Sequence, residues 1–332
     1  MEIQLDEYER YRLMKKGLRR RFSTVGWVLM IYMVIMNVAV IATMVSQVIM
    51  QIQRSALAGK AFTPEMLMEN LPDGAGGYIA AVIIGLLLLF IWKKPDFWKN
   101  EIFAKGKPMT FGNFFRILCV FLSGQLIYQL LMSLVEMVLN AFGLSILAGM
   151  QAVSMDTDNF IMFLYGGILA PITEEILFRG VVQRTLLPWG KRFAIVCSAF
   201  VFGIFHGNLL QAPFGFVVGL VLGYVACEYN IVWAMVLHMV NNLVLGDMFY
   251  RIGEWIGPGV GDYITSAVLI LAGIAALVFL IRNRKQIQSY RRNNPIYGMY
   301  LGCFFSAAGN IVLMVCMAIN MVISLFGMIT PL

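Results

Sequence analysis

Charge is what this sequence has least of: Asp, Glu, Lys and Arg together make up 13% of the chain, while 60% is hydrophobic and the mean hydropathy is +0.79. One soluble core cannot hide that much apolar side chain, so a water-soluble globular class is excluded and lipid is the expected solvent. Cysteine is scarce and scattered. Cys119, Cys197, Cys227, Cys303 and Cys316 all lie in apolar runs without CxxC spacing, which argues against a disulfide framework or a thiolate metal cluster and for small buried hydrophobes. Internal repeats, low-complexity tracts and a separate soluble domain are missing. A cleavable signal peptide is not expected either, because the first 25 residues are polar and charged and the first apolar run starts too far in. Histidine is rarest of all: His206 and His238 are the entire supply.

What is present in quantity is apolar sequence. Stretches near 26–50, 77–92, 113–137, 159–182, 193–210, 213–228, 231–249, 263–281 and 297–327 are mostly about as long as the roughly 20 residues a bilayer demands. The expectation is an all-α fold, a polytopic transmembrane helical bundle of about eight to nine spans. The stretches at 213–228 and 231–249 are separated only by Glu228-Tyr229-Asn230 and read as a tight helical hairpin. The chain divides into a cytoplasmic basic segment 1–25, three spans in 26–150, a core at 155–250 and two spans in 251–332.

Lys and Arg set the expected orientation, since cytoplasmic loops keep positive charge. The amino-terminal segment, the stretch 93–110 and the connections 183–192 and 282–292 hold twenty cations, against Arg54, Lys60 and Arg251 on the other side. The amino terminus is therefore expected in the cytoplasm. The net charge of +7 is read as topology and contact with an anionic inner leaflet, not as nucleic-acid binding. Arg116 and Arg179 remain, inside or at the edge of spans. In 93–110 cations alternate with aromatic anchors (Lys94, Phe97, Trp98, Lys99, Phe103), which fits an interfacial helix or a solvated loop. The loop 51–76 carries no signal.

Chemistry concentrates in Pro171-Ile172-Thr173-Glu174-Glu175-Ile176-Leu177-Phe178-Arg179-Gly180, three ionisable groups in an otherwise apolar span. Each charge near a helix centre costs roughly 2.5–3.5 kcal/mol on insertion scales, so a functional site is the default reading. Glu175 and Arg179 are four apart in the favourable order for an ion pair. Glu174, about 100° round the helix, is left to face another span and keep an independent proton affinity suited to proton transfer. Phe202 and His206, and His238 and Asn242, are each four apart, so each pair projects from one helical face. At 1.5 Å per residue, Glu174 and His206 both lie roughly 20 Å from their cytoplasmic helix ends and could meet, with His238 shallower at roughly 10 Å. Gly219-Leu220-Val221-Leu222-Gly223 permits close helix approach behind them, a weakly specific pattern.

Glu174-Glu175-x-x-x-Arg179, then Phe202-x-x-x-His206, then His238-x-x-x-Asn242 resemble the motifs of the CPBP family, the CAAX proteases and bacteriocin-processing enzymes also called the Abi family. All three are present without substitution, over roughly residues 155–250. The resemblance implies a helical intramembrane protease, commonly of eight spans. By it, Glu174 and His206 activate water for peptide-bond hydrolysis, His238 and Asn242 stabilise the oxyanion, and Glu175 with Arg179 organises the site.

Amide hydrolysis needs a base, an acid for the leaving amine and donors aimed at the oxyanion, and a carboxylate, two imidazoles and a carboxamide supply those parts. Glu174, His206 and His238 also form a formal His2Glu zinc set. A metal-free, glutamate-dependent mechanism without cofactor is preferred: there is no His-Glu-x-x-His helix, and zinc would take His238 from the oxyanion. The expected partner is a peptide or lipidated protein substrate, prenylated CAAX protein, leader peptide, bacteriocin or quorum-sensing precursor. Compact loops favour a bacterial cell membrane. The competing class is a non-catalytic peptide-binding immunity factor or scaffold. A transporter is a weaker third reading, since no inverted repeat is visible.

Overall fold

The computed structural model describes residues 6–60, 63, 75–152, 160–243 and 249–332. The edges of the 155–250 core, at 155–159 and 244–248, and the stretches 61–62 and 64–74 of the loop 51–76 lie outside the described residues. The chain begins with helix α1, Glu7–Leu57, 51 residues long. At 1.5 Å per residue it measures about 77 Å, more than twice the hydrocarbon thickness of a bilayer. No proline interrupts it, and Asp6 caps it by accepting the Glu9 amide at 2.6 Å. The basic segment and the first span are thus one continuous helix, where the sequence pattern suggested a polar segment followed by a span.

Helices α2 (Ala75–Trp92), α3 (Phe111–Asn140) and α4 (Phe160–Trp189) follow, then α5 (Lys191–Phe205) and α6 (Gln211–Glu228). The hairpin expected at 213–249 is there: only Tyr229 and Asn230 separate α6 from α7 (Ile231–Val240), and Asn230 caps α7 by accepting the Trp233 amide at 3.0 Å. The remainder comprises α8 (Phe249–Ile256), α9 (Val260–Arg282), α10 (Arg284–Asn293), α11 (Gly298–Phe305) and α12 (Ala308–Met328). Leu144–Ser145 pairs antiparallel with Thr330–Pro331.

Six helices among the described residues, α1, α3, α4, α6, α9 and α12, are long and apolar enough to cross a membrane, and Gly76–Trp92 and Ile231–Leu243 are shorter apolar helices. Helix α5 has 15 residues, and the stretch read as one span at 297–327 is two helices with a break at Ser306 and Ala307. Ile31, Val38, Phe90, Leu130, Leu271 and Phe326 are exposed on the outer helices. A contiguous apolar exterior of this kind marks a lipid-facing surface.

The stretch 93–110 holds only a short helical turn, Phe97–Ile102, rather than a long interfacial helix. Ile102 is fully buried because it packs on Gly180 of α4, where a Cβ would come within 2.3 Å of the Ile102 side chain. All five cysteines are free.

Small residues set the close approaches. Helices α5 and α6 run antiparallel with Gly203 against Ala212 and Phe216, Ala199 against Gly219 and Ile195 against Gly223. A Cβ on Gly203 would meet the Ala212 carbonyl at 2.5 Å, and contacts that tight are how membrane helices gain packing energy without a hydrophobic drive. Phe178 and Phe202 meet edge to face at 5.1 Å and Phe22 meets Trp189 at 4.9 Å, tying α1, α4 and α5 into the core.

Candidate active site

Helix α4 is irregular where it matters. Two π-helical stretches, Tyr165–Leu169 and Glu175–Gln183, flank the α-helical segment that ends at Glu174. Pro171 has no amide hydrogen and its ring clashes with the carbonyl four residues back, which accounts for the register shift at 165–169. Such insertions are frequent at functional sites because they re-aim single side chains.

Glu175 is fully buried, with an ion-pair partner on one side and a hydrogen-bond donor on the other. Arg179 Nε lies 3.2 Å from Oε2, with neither side chain exposed, and His238 Nδ1 lies 3.0 Å from Oε1. The Arg179 guanidinium also stacks over the Phe202 ring at 4.4 Å and donates through Nη2 to the Gly219 carbonyl at 3.3 Å. One turn further on, Gln183 Nε2 donates to the Gly223 carbonyl at 2.9 Å. These two bonds tie α4 to α6, and the residues that accept are the glycines of the Gly219-x-x-x-Gly223 pair. A Cβ on Gly223 would stand 2.8 Å from Gln183 Oε1.

Glu174 stands apart from this network. Its side chain is 32% exposed, and its nearest ionisable partner is His238 Nε2 at 3.8 Å. Tyr32 of α1 and Tyr165 of α4 are within electrostatic range of it. Because His238 Nδ1 faces a carboxylate, that nitrogen carries the hydrogen, and Nε2 is left facing Glu174.

His206 stands at the carboxy-terminal end of α5, where Gly207 turns the chain with φ +67°. Its Nδ1 donates back to the Phe202 carbonyl at 2.9 Å, so Nε2 is again the free nitrogen, on an exposed ring. Among the described residues no hydrogen bond or ion pair joins His206 to Glu174. The two imidazoles instead meet the same Phe202 ring edge-on, His206 at 5.0 Å and His238 at 5.9 Å. Gly215 leaves the room: a Cβ there would meet the His206 ring at 3.2 Å.

Asn242 is held at both ends. Its Nδ2 donates to the Gly166 carbonyl at 2.8 Å and its Oδ1 accepts from Asn241 at 2.9 Å. A carboxamide has two donor hydrogens, so one is left for a ligand. Among the described residues no three His, Cys, Asp or Glu side chains gather into a set that could hold a metal ion.

Sequence reasoning missed Phe202 as the shared platform, Gly215 as the space for His206, Gly166 as the acceptor for Asn242, and Glu175 as the partner of His238. The Gly215-x-x-x-Gly219-x-x-x-Gly223 spacing was the available signal for the second.

All six of these polar residues fall within residues 156–244, which match the family model for Rce1-like type II CAAX prenyl endopeptidases. The match supports the resemblance to CAAX proteases over that segment. No curated protein and no solved structure matched the chain. The matched segment runs from α4 to α7.

Proposed function

We propose that this chain is an intramembrane endopeptidase that hydrolyses a peptide bond in a membrane-associated substrate, a prenylated protein or a leader peptide, with water activated by glutamate and histidine. The observation that carries this reading is the division between adjacent carboxylates. Glu175 is buried and neutralised by Arg179 and His238, while Glu174 stays open beside His238 Nε2.

In this mechanism Glu174 takes a proton from water as the water oxygen bonds to the scissile carbonyl carbon. The negative charge moves to the carbonyl oxygen, where protonated His238 and the remaining Asn242 hydrogen serve as donors. His206, with its exposed ring, holds the water, and Glu174 passes the proton on to the amide nitrogen as the C–N bond breaks. The products are a carboxylate and an amine. Phe202 and the buried Arg179–Glu175 pair fix the geometry. The first three spans and the last two form a shell around this core, with the amino terminus cytoplasmic and the membrane that of a bacterial cell. Cysteine-accessibility labelling at position 188 inside and 256 outside tests that orientation.

Comparative peptidomics of cells carrying wild-type protein or Glu174→Gln tests the activity. Product peptides should vanish and uncut precursor accumulate in the variant. Unchanged peptides from a folded, inserted Glu174→Gln protein would leave the binding-scaffold reading in its place. Treatment with a strong chelator separates the mechanisms: a glutamate enzyme keeps working, whereas a zinc enzyme stops and recovers with metal.

A further inference from the structure

Arg116 has no role in the chemistry above and, among the described residues, no counterion. It sits in the second turn of α3, exposed, and its one hydrogen bond is a long contact to Asn113 Oδ1 at 3.5 Å. Among the described residues no carboxylate lies within ion-pairing distance of it. A bare guanidinium at the edge of an apolar span is costly unless something anionic meets it.

The side chain lines a cavity of about 480 Å³ between α3, α6, α9 and α10. The volume is that of an ordinary ligand pocket. Its walls are apolar, with Ile117 and Val120 from α3, Leu220 and Val221 from α6 and Leu280 from α9. Its mouth is polar, where Tyr224, Tyr229 and Tyr290 join Arg116. These α6 residues are on a different face from Gly215, Gly219 and Gly223, so the cavity is separate from the catalytic cluster.

Charge is concentrated at that mouth. Tyr290 donates to Glu228 at 3.2 Å, and Glu228 is paired with Lys107 at 2.5 Å and Lys191 at 2.8 Å. Lys107 is within electrostatic range of Tyr224 and Tyr229. Two lysines therefore share one carboxylate beside the polar end of the cleft, leaving a net positive charge there, and Arg116 adds an unpaired cation from the cleft wall.

We propose that this cleft binds one anionic glycerophospholipid, with an acyl chain along Ile117, Leu220 and Leu280 and the phosphate on Arg116. Basic pockets between spans at a membrane interface recognise lipid head groups in this way. The Tyr224 and Tyr229 hydroxyls add hydrogen bonds to the phosphate oxygens, Tyr290 being committed to Glu228, and the excess positive charge selects against a zwitterionic head group.

Native mass spectrometry of the full chain tests this, with the protein released from micelles containing equal amounts of phosphatidylglycerol and phosphatidylcholine. The wild type should retain one phosphatidylglycerol in preference to phosphatidylcholine. Arg116→Gln should reduce that adduct about five-fold, the worth of one cation near the membrane surface, and Arg116→Lys should restore most of it. Leu280→Trp, at an exposed position, should fill the cleft and remove the adduct. Melting curves in detergent should match wild type for all three. Equal retention of the two lipids by the wild type, or wild-type retention of phosphatidylglycerol by either Arg116→Gln or Leu280→Trp, would overturn the proposal.

Discussion

Two acidic side chains are buried among the described residues, Glu175 in the middle of the bundle and Glu228 at its basic end, and they are neutralised by opposite means. Glu175 is met by Arg179 and His238, whose side chains are 0% and 8% exposed. Glu228 is met by Lys107 and Lys191, which are 67% and 45% exposed, and by Tyr290. Water can stand in for a lost lysine at Glu228, but nothing can stand in at Glu175. The difference separates a charge pair that fixes the core from one that fastens the 103–110 segment and α10 to the end of α6.

The largest effect expected from that contrast is at Arg179. Arg179→Ala leaves Glu175 charged and dry, which by analogy with broken buried pairs costs about 3–5 kcal/mol. Yield and detergent melting temperature should fall together with activity. A variant that accumulates and melts normally and loses only turnover would break the comparison and place Arg179 in the reaction.

Asn242→Ala sharpens the contrast from the catalytic side. It removes the proposed oxyanion donor and the bond to Gly166, so turnover should slow by about 10²–10³ while stability falls by only about 1 kcal/mol. A melting loss as large as that of Arg179→Ala would make Asn242 a structural tie alone.

Lys107→Met is the smallest effect, under about 1 kcal/mol, because the lysine is mostly exposed and screened. Its hydrogen bond to Glu228 raises the Lys107 pKa above the ordinary 10.5. The pairing contributes fully below 10.5 and is lost as pH climbs through the raised value. The gap in melting temperature between wild type and Lys107→Met should therefore be constant from pH 6 to pH 9 and close only in stronger alkali. A gap that changed across the neutral range would point to a different titrating group.

Much of this was legible in the sequence because membrane helices announce themselves by composition. The i, i+4 spacing of Glu175 and Arg179 gave their ion pair, and Asn230 between two apolar runs gave the α6–α7 hairpin. The length of α1 was not legible, since a basic amphipathic stretch and an apolar span have no breaker between them to mark one helix or two. Helix α8 was missed because its apolar run is short. The partner of His238 was also out of reach. Depth estimates along single helices put His206 level with Glu174, but the chain turns at Gly207 and the His206 ring folds back on the Phe202 carbonyl. A helix end moves a side chain by more than such an estimate resolves, and Glu174 meets His238 instead.

The central claim is that the adjacent glutamates divide the work, Glu175 holding the site and Glu174 carrying the proton. Glu174→Gln and Glu175→Gln, compared in the purified full chain for both melting temperature and cleavage of a substrate peptide found by peptidomics, test it most directly. Glu174→Gln should melt within a degree or two of wild type, on the order of the few tenths of a kcal/mol typical of surface changes, and lose about 10²-fold or more in rate. Glu175→Gln should lower the melting temperature strongly, since it strands Arg179 in the core. Full cleavage by a folded Glu174→Gln protein, or a Glu175→Gln protein as stable as wild type, would contradict the account.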